Sequence, residues 1–231
     1  IAHKPTTGAE WTAAGLTRIT TRATLSGPIG DGRVDALTLL IDARWDGRGG
    51  IAIDPGCAPV SFQRLAIAGL VLDPARLSLC PTGRALVAMS GTRIDGGARV
   101  AATRLTGRLG ATPVALALRG ATVDIGTRGF AIAGVETRIG SPDRMTRLDF
   151  ATVRGRSTDG AVVGTFAGGA GQIANVPLVL ANAAGDWTLR GGALRLTGAL
   201  GVSDAQAAAP RFNPMQAQAV AEGLHLAQRL L

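Results

Sequence analysis

Short strand-like runs alternate with turn residues from one end of this chain to the other, and no other feature limits its fold as much. ALTLLIDARW, RLAIAGLVLD, PVALALRG, TRLDFATVRG, VPLVLANAAG and WTLRGGALRLTGAL are each about one strand long, and each leads into a turn. In the clearest run, Leu37, Leu39, Ile41, Ala43 and Trp45 share one face, while Thr38, Asp42 and Arg44 take the other. Asp46-Gly47, Asp95-Gly96-Gly97 and Thr158-Asp159-Gly160 read as hairpin turns. Roughly a dozen or more strands follow, spaced about 8–15 residues apart. That spacing is too irregular for a fixed-period solenoid. No segment before residue 210 reads as a long helix, which excludes a parallel sheet with helical crossovers. The chain is predicted to be all-β.

Three stretches are expected along it: a ragged N-terminal edge over 1–11, a β-domain over 12–210 and a distinct tail over 211–231. In the tail, Asn213-Pro214 supplies an N-cap and a first-turn proline. Val220, Leu224, Ala227 and Leu231 then recur at helical spacing. A short helix over 214–229 is the expectation; Gly223 opposes it, and a final strand is the competing reading.

Packing must rely on small aliphatic side chains. Hydrophobic residues make up 46% of the 231 and charged residues 17%, so composition excludes disorder, but aromatics are only 3% and Tyr is absent. The net charge is +8, and Lys4 is the only lysine, the other 23 of the 24 Lys and Arg residues being arginine. A GC-rich genome would produce that bias; the competing reading is an affinity for anionic surfaces such as nucleic acid or phospholipid headgroups. The arginines are spread one or two per strand instead of forming a block, and too few aromatics accompany them to stack bases, so nucleic acid is excluded as a partner. No apolar run reaches the ~18 residues of a transmembrane helix, and no signal-type segment opens the chain. The opening Ile1 suggests an excised or processed fragment.

Catalytic constellations are missing from the pattern. His3 lies at the expected frayed end, and His225 lies in the tail with only Glu222 near it. No G-x-S-x-G elbow, phosphate loop or calcium repeat is present. Most acidic residues, among them Asp31, Asp73, Asp143 and Asp186, fall in turns, where their side chains cap backbone N–H groups. No catalytic residue, cofactor or metal is expected; two cysteines and two distant histidines lack zinc-ligand spacing. Cys57 and Cys80 each sit beside proline at the ends of neighbouring strands. A disulfide is expected, implying an oxidising compartment, with two free buried thiols as the competing reading.

The apolar face that recurs in strand after strand supports either an ordinary sandwich core or a trough whose floor takes lipid tails. The stretch from Gly164 to Met215 resembles a segment of the YdbH-like, AsmA-related proteins of Gram-negative bacteria. Its marks are Phe166-Ala167-Gly168, Gly171-Gln172-Ile173, Trp187-x-Leu189, Leu194-x-Leu196-x-Gly198, Val202-Ser203-Asp204 and Arg211-Phe212-x-Pro214. DPGCAPVSFQRLAIAGLVLDPARLSLCP is similar to their two-cysteine region. The resemblance implies a curled, mostly antiparallel, elongated sheet, taco-like in section, with a hydrophobic interior. It further implies a periplasmic protein whose full-length parent is anchored in the inner membrane. Such a protein carries phospholipid between the inner and outer membranes, with other envelope proteins as further partners.

On this view acyl chains rest against Leu37, Leu39, Ile41, Leu65, Ile67, Leu77, Leu79, Leu116, Leu118, Leu148, Phe150, Leu178, Leu180, Leu194 and Leu196. Arginines at strand ends are the candidates for headgroup phosphates, with none singled out. The alternative is a structural or adhesive β-domain of an exported surface protein. A weaker third reading is a hydrolase whose site is incomplete in this stretch.

Overall fold

A computed structural model describes residues 6–11, 17–29, 32–67, 69–191, 193–206, 208 and 210–225. They are all-β, with no helix among them. In chain order the strands begin with Thr6–Trp11 (β1), Thr17–Ile29 (β2), Gly32–Trp45 (β3), Gly50–Ile53 (β4), Ala58–Phe62 (β5), Arg64–Ile67 (β6) and Leu70–Leu72 (β7). Ala75–Pro81 (β8), Val87–Ser90 (β9), Arg93–Val100 (β10), Thr103–Leu109 (β11), Thr112–Leu118 (β12) and Gly120–Asp124 (β13) follow. Gly129–Ile139 (β14), Thr146–Thr158 (β15), Ala161–Gln172 (β16), Leu178–Arg190 (β17), Ala193–Asp204 (β18) and Met215–His225 (β19) complete the series.

The chain divides into two compact units. The first comprises residues 1–67, 72–101 and 121–129. Here β1, β2 and β3 pair antiparallel in succession, and β3 then pairs along its length with β6, β5 and β4. On their far side β5 pairs with β8 and β4 with β9; β10 pairs with both β8 and β9, and also with β13. The segments 54–57 and 82–86 therefore interrupt what would otherwise be two long strands.

Asp54 organises the interruption. It takes a left-handed φ of 51° and exchanges hydrogen bonds with Asp42. The Asp54 N–H donates to the Asp42 carbonyl at 2.8 Å, and its carboxylate accepts the Asp42 N–H at 2.7 Å. The Asp54 carbonyl in turn accepts the Leu86 N–H at 3.0 Å, drawing the second interruption towards the first. Burial pushes the Asp54 carboxyl above its ordinary pKa. Val34, Ala58, Val60, Phe62, Leu72, Ala85 and Ala88 form this unit's small buried core. The expected disulfide is present: Cys57 is bonded to Cys80 and staples the start of β5 to β8 beside the Ala58–Leu79 pair.

The second unit comprises residues 68–71, 102–120 and 130–231. In it β11, β12 and β14 form one antiparallel run. The strands β15, β16, β17, β18 and β19 form an antiparallel meander of long hairpins. Val114 and Ala161 are the only buried hydrophobic residues in the described part of this unit.

Two expectations need correction. Residues 215–225, expected within a short C-terminal helix, are a strand paired with β18 from Met215↔Val202 to His225↔Ala193. The open edge of a long strand offers a row of unpaired backbone groups, and that demand outweighs the local helix propensity of the tail. The rest of the expected helix, 226–229, lies outside the described residues, as does His3. The run RLAIAGLVLD (Arg64–Asp73), expected as one strand, is broken at Gly69 into β6 and β7.

The disulfide spans 23 residues of sequence, and closing a loop of that size contributes about 3 kcal/mol in the chain-entropy model. Reduction, or the double change Cys57→Ser and Cys80→Ser, is expected to lower amide-exchange protection in β5 and β8 while leaving β15–β18 unchanged. Hydrogen-exchange mass spectrometry with and without reductant checks this.

Candidate functional site

The meander β15–β18 has one charged face and one apolar face. On β15, Arg147, Asp149 and Arg154 lie on the charged side. Asp149 is gripped there by Arg138 at 2.5 Å and Arg147 at 2.8 Å. Partial burial works against its charge, but the two guanidiniums outweigh that and hold its carboxyl below the usual range.

The apolar side is shaped by a line of bulges. Between β15 and β16 the register runs through Asp149↔Ala170 and resumes at Thr152↔Ala167, with Gly168 at φ +63° in the gap. The β16–β17 register shifts on both sides of Gly169, and the β17–β18 register shifts between Ala181 and Ala184, where Asn182 has φ +54°. A bulge bends its strand and sharpens the local twist, so bulges at one level across adjacent strands turn a flat face into a concave one. They also change which residues face inward. Strict alternation groups Val153 with Arg147 and Asp149, but past the bulge Val153 joins Leu148 and Phe150 on the apolar side.

The result is a groove of about 590 Å³ lined by residues of β14 to β18. Phe130, Phe150, Phe166 and Trp187 all line it, half of the chain's 5 Phe and 3 Trp. Phe150 and Phe166 meet edge to face, with ring centres 5.8 Å apart. Trp187 belongs to a row across the sheet, Gly155↔Gly164↔Trp187↔Leu196. Its ring lies over the two glycines: a Cβ on Gly164 would come within 2.7 Å of the indole, and one on Gly155 within 2.7 Å of the indole and 2.6 Å of Phe130. The only polar side-chain atom on the lining, the indole Nε1, donates to the Arg154 carbonyl at 3.1 Å. No charged or hydroxyl side chain lines the groove. Its chemistry is that of a hydrocarbon surface.

Of the residues selected from sequence, Leu148, Phe150, Leu180, Leu194 and Leu196 meet in this groove. Leu178 belongs to the same meander, opposite Asp204, and does not line it. Leu116 and Leu118 lie on β12, Leu118 in a smaller hollow with Arg104, Arg119 and Glu136. Leu37, Leu39 and Ile41 lie on β3, Leu65 and Ile67 on β6, and Leu77 and Leu79 on β8, all in the first unit. There Leu39 and Leu77 flank the buried Val60 in one cross-strand row, and Leu79 pairs with the buried Ala58. Ile67 is 48% exposed.

Phe130, Ile132, Val153, Phe166, Trp187 and Leu200, with glycines and alanines between them, also line the groove and are not among the residues the sequence pattern selects. For Phe130, Phe166 and Trp187 the available signal is the scarcity of aromatics, since a chain with so few places them where contact area matters most.

Comparison with protein-family models, with curated proteins and with solved structures finds no match for this chain.

At one end of the groove's strands a buried carboxylate fixes the loop that leads to β19. Asp204 accepts the Gln206 N–H at 2.9 Å, the Arg211 N–H at 3.1 Å and the Arg211 guanidinium at 2.6 and 3.1 Å. Arg211 also donates to the Pro177 carbonyl at 3.2 Å, tying this loop to the β16–β17 turn. The guanidinium and the backbone donors hold the Asp204 carboxyl far below the usual carboxylate range. A depressed folded pKa gives stability that is complete above the unfolded value near 3.9 and is lost as pH falls through the folded one. Asp204→Asn is therefore expected to melt lower than the unaltered protein at neutral pH, with the gap closing below about pH 4. Thermal melts across a pH series check it.

Proposed function

We propose that the protein binds phospholipid acyl chains in the β14–β18 groove and serves as a segment of a periplasmic lipid-transfer β-groove between the inner and outer membranes. One observation carries this reading: every aromatic and branched aliphatic side chain of the 590 Å³ lining is left half-buried, with no polar side chain set among them. An apolar surface left accessible to water is costly, and each methylene laid against it contributes about 0.8 kcal/mol. A ligand that needs contact area without directional hydrogen bonds fits such a wall, and an acyl chain is that ligand. The role is non-catalytic and needs no cofactor.

Two further points support the location. The Cys57–Cys80 disulfide is consistent with an oxidising compartment such as the periplasm. The resemblance of residues 164–215 to YdbH-like, AsmA-related proteins points to the same compartment and to inner-membrane anchoring through the parent chain.

The small sealed core of the first unit favours a second reading, a structural or adhesive β-domain of an exported protein. Native mass spectrometry with lipid extraction, on protein purified from a Gram-negative periplasm, separates the two. Lipid-transfer function predicts co-purified phospholipid, reduced at least about tenfold by Phe166→Asp or Leu196→Asp, since a charge on a desolvated apolar wall costs several kcal/mol. Both variants should keep the unaltered melting temperature to within a few degrees. Monodisperse protein free of lipid would favour the structural domain.

A further inference from the structure

The groove is not uniform along its length. Its lining on β15 is Leu148, Phe150 and Val153, and on β17 it ends at Trp187. No residue of β15, β16 or β17 beyond the Gly155–Gly164–Trp187 row lines it; only β18 continues past, with Leu194. The indole lies at that limit. With no Cβ on Gly155 or Gly164, the ring reaches from β17 across β16 to β15, where Nε1 bonds the Arg154 carbonyl. Phe130 of β14 extends the bar, its ring centre 6.0 Å from that of Trp187 at a 40° tilt. A hydrogen bond, two glycine seats and a second ring hold one side chain in place across the path. From Leu148 to the bar the floor runs about 23 Å at strand rise. That exceeds the ~15 Å depth of one membrane leaflet's hydrocarbon, so a chain seated along the strands from Leu148 meets the bar only when its extended length approaches that of the floor, and the stop acts at the long end of the range.

We infer that Trp187, backed by Phe130, is an end stop that sets the longest acyl chain the groove accommodates. Trp187 is thus a specificity-determining residue; the inference rests on the acyl-chain reading of the same groove. Up to the stop, each added methylene tightens binding about fourfold; past it, the gain ceases because the next carbon meets the indole instead of open groove.

The test uses lysophospholipids with one saturated chain, in a series from about 12 to about 24 carbons, titrated against the full chain. Affinity is expected to rise with length and then level off for the unaltered protein. Trp187→Leu, and separately Phe130→Leu, should move the plateau to longer chains, while Trp187→Phe moves it less. A plateau unmoved in both leucine variants, with binding intact, overturns the end stop and leaves the acyl-chain reading standing. Failure of the unaltered protein to bind any member of the series overturns that reading itself. A second measurement needs no change at Trp187. In a Trp11→Phe, Trp45→Phe background, a bromine on the terminal carbon of the chain should quench the remaining indole more than one at mid-chain. Equal or reversed quenching overturns the stop even where the leucine variants fail to fold.

Discussion

Antiparallel backbone pairing carries this structure, because side-chain burial is too thin to do so. In the described part of the second unit only Val114 and Ala161 are buried hydrophobic residues, yet β15 to β19 hold register over most of their length. Each strand's N–H and C=O groups are satisfied by its neighbours, and cross-strand rows add side-chain contact on each face. Sheets of this kind ordinarily bury one face under a second layer. Here the apolar face of the meander is left half-buried, so the ladder has to tolerate what a core would otherwise reward.

The first unit meets the same problem differently. Its long strands are interrupted at 54–57 and 82–86, and the inserted residues fold back into the unit. Ala85, from the second interruption, is its most buried hydrophobic residue at 1% exposure. Asp54 accepts the strain of a left-handed backbone so that its own N–H, C=O and carboxylate satisfy groups on both sides. The disulfide crosses beside this break. Local chemistry, more than burial of large side chains, closes that unit.

The fold class was legible because turns and alternation are local. Glycine, aspartate and proline mark hairpins through the backbone conformations they allow, and period-2 patterning marks strands without reference to partners. The β14–β18 groove was legible only in part, for an equally physical reason. Alternation assigns faces correctly until a bulge intervenes, and the bulges at Gly168 and Asn182 are set by strands that meet only in the folded sheet. Leu148 and Phe150 precede the bulge, and alternation places them in the groove; Val153 follows it, and alternation places it on the opposite face. Selecting leucines in every strand also merged two units whose apolar residues have different fates: Leu39 and Leu77 flank a buried core residue, whereas Leu194 and Leu196 line an accessible wall. The tail's helical spacing is a local signal, whereas the edge of β18 that captures it as a strand is not.

A wall built this way has narrow means of discrimination. With no polar side chain on the lining and the one indole N–H already engaged, nothing in the groove distinguishes one headgroup from another. Selectivity there can come only from shape: the width set by the bulges, the depth set by glycines, and the fixed rings of Phe130, Phe150, Phe166 and Trp187. This explains why the chain concentrates half of its aromatic residues on one surface. Aliphatic side chains flex through several rotamers, whereas a ring held by a hydrogen bond, by glycine seats and by a second ring keeps its outline. Leucine and alanine supply area for binding, and the pinned aromatics supply the contour against which chains of different length are distinguished.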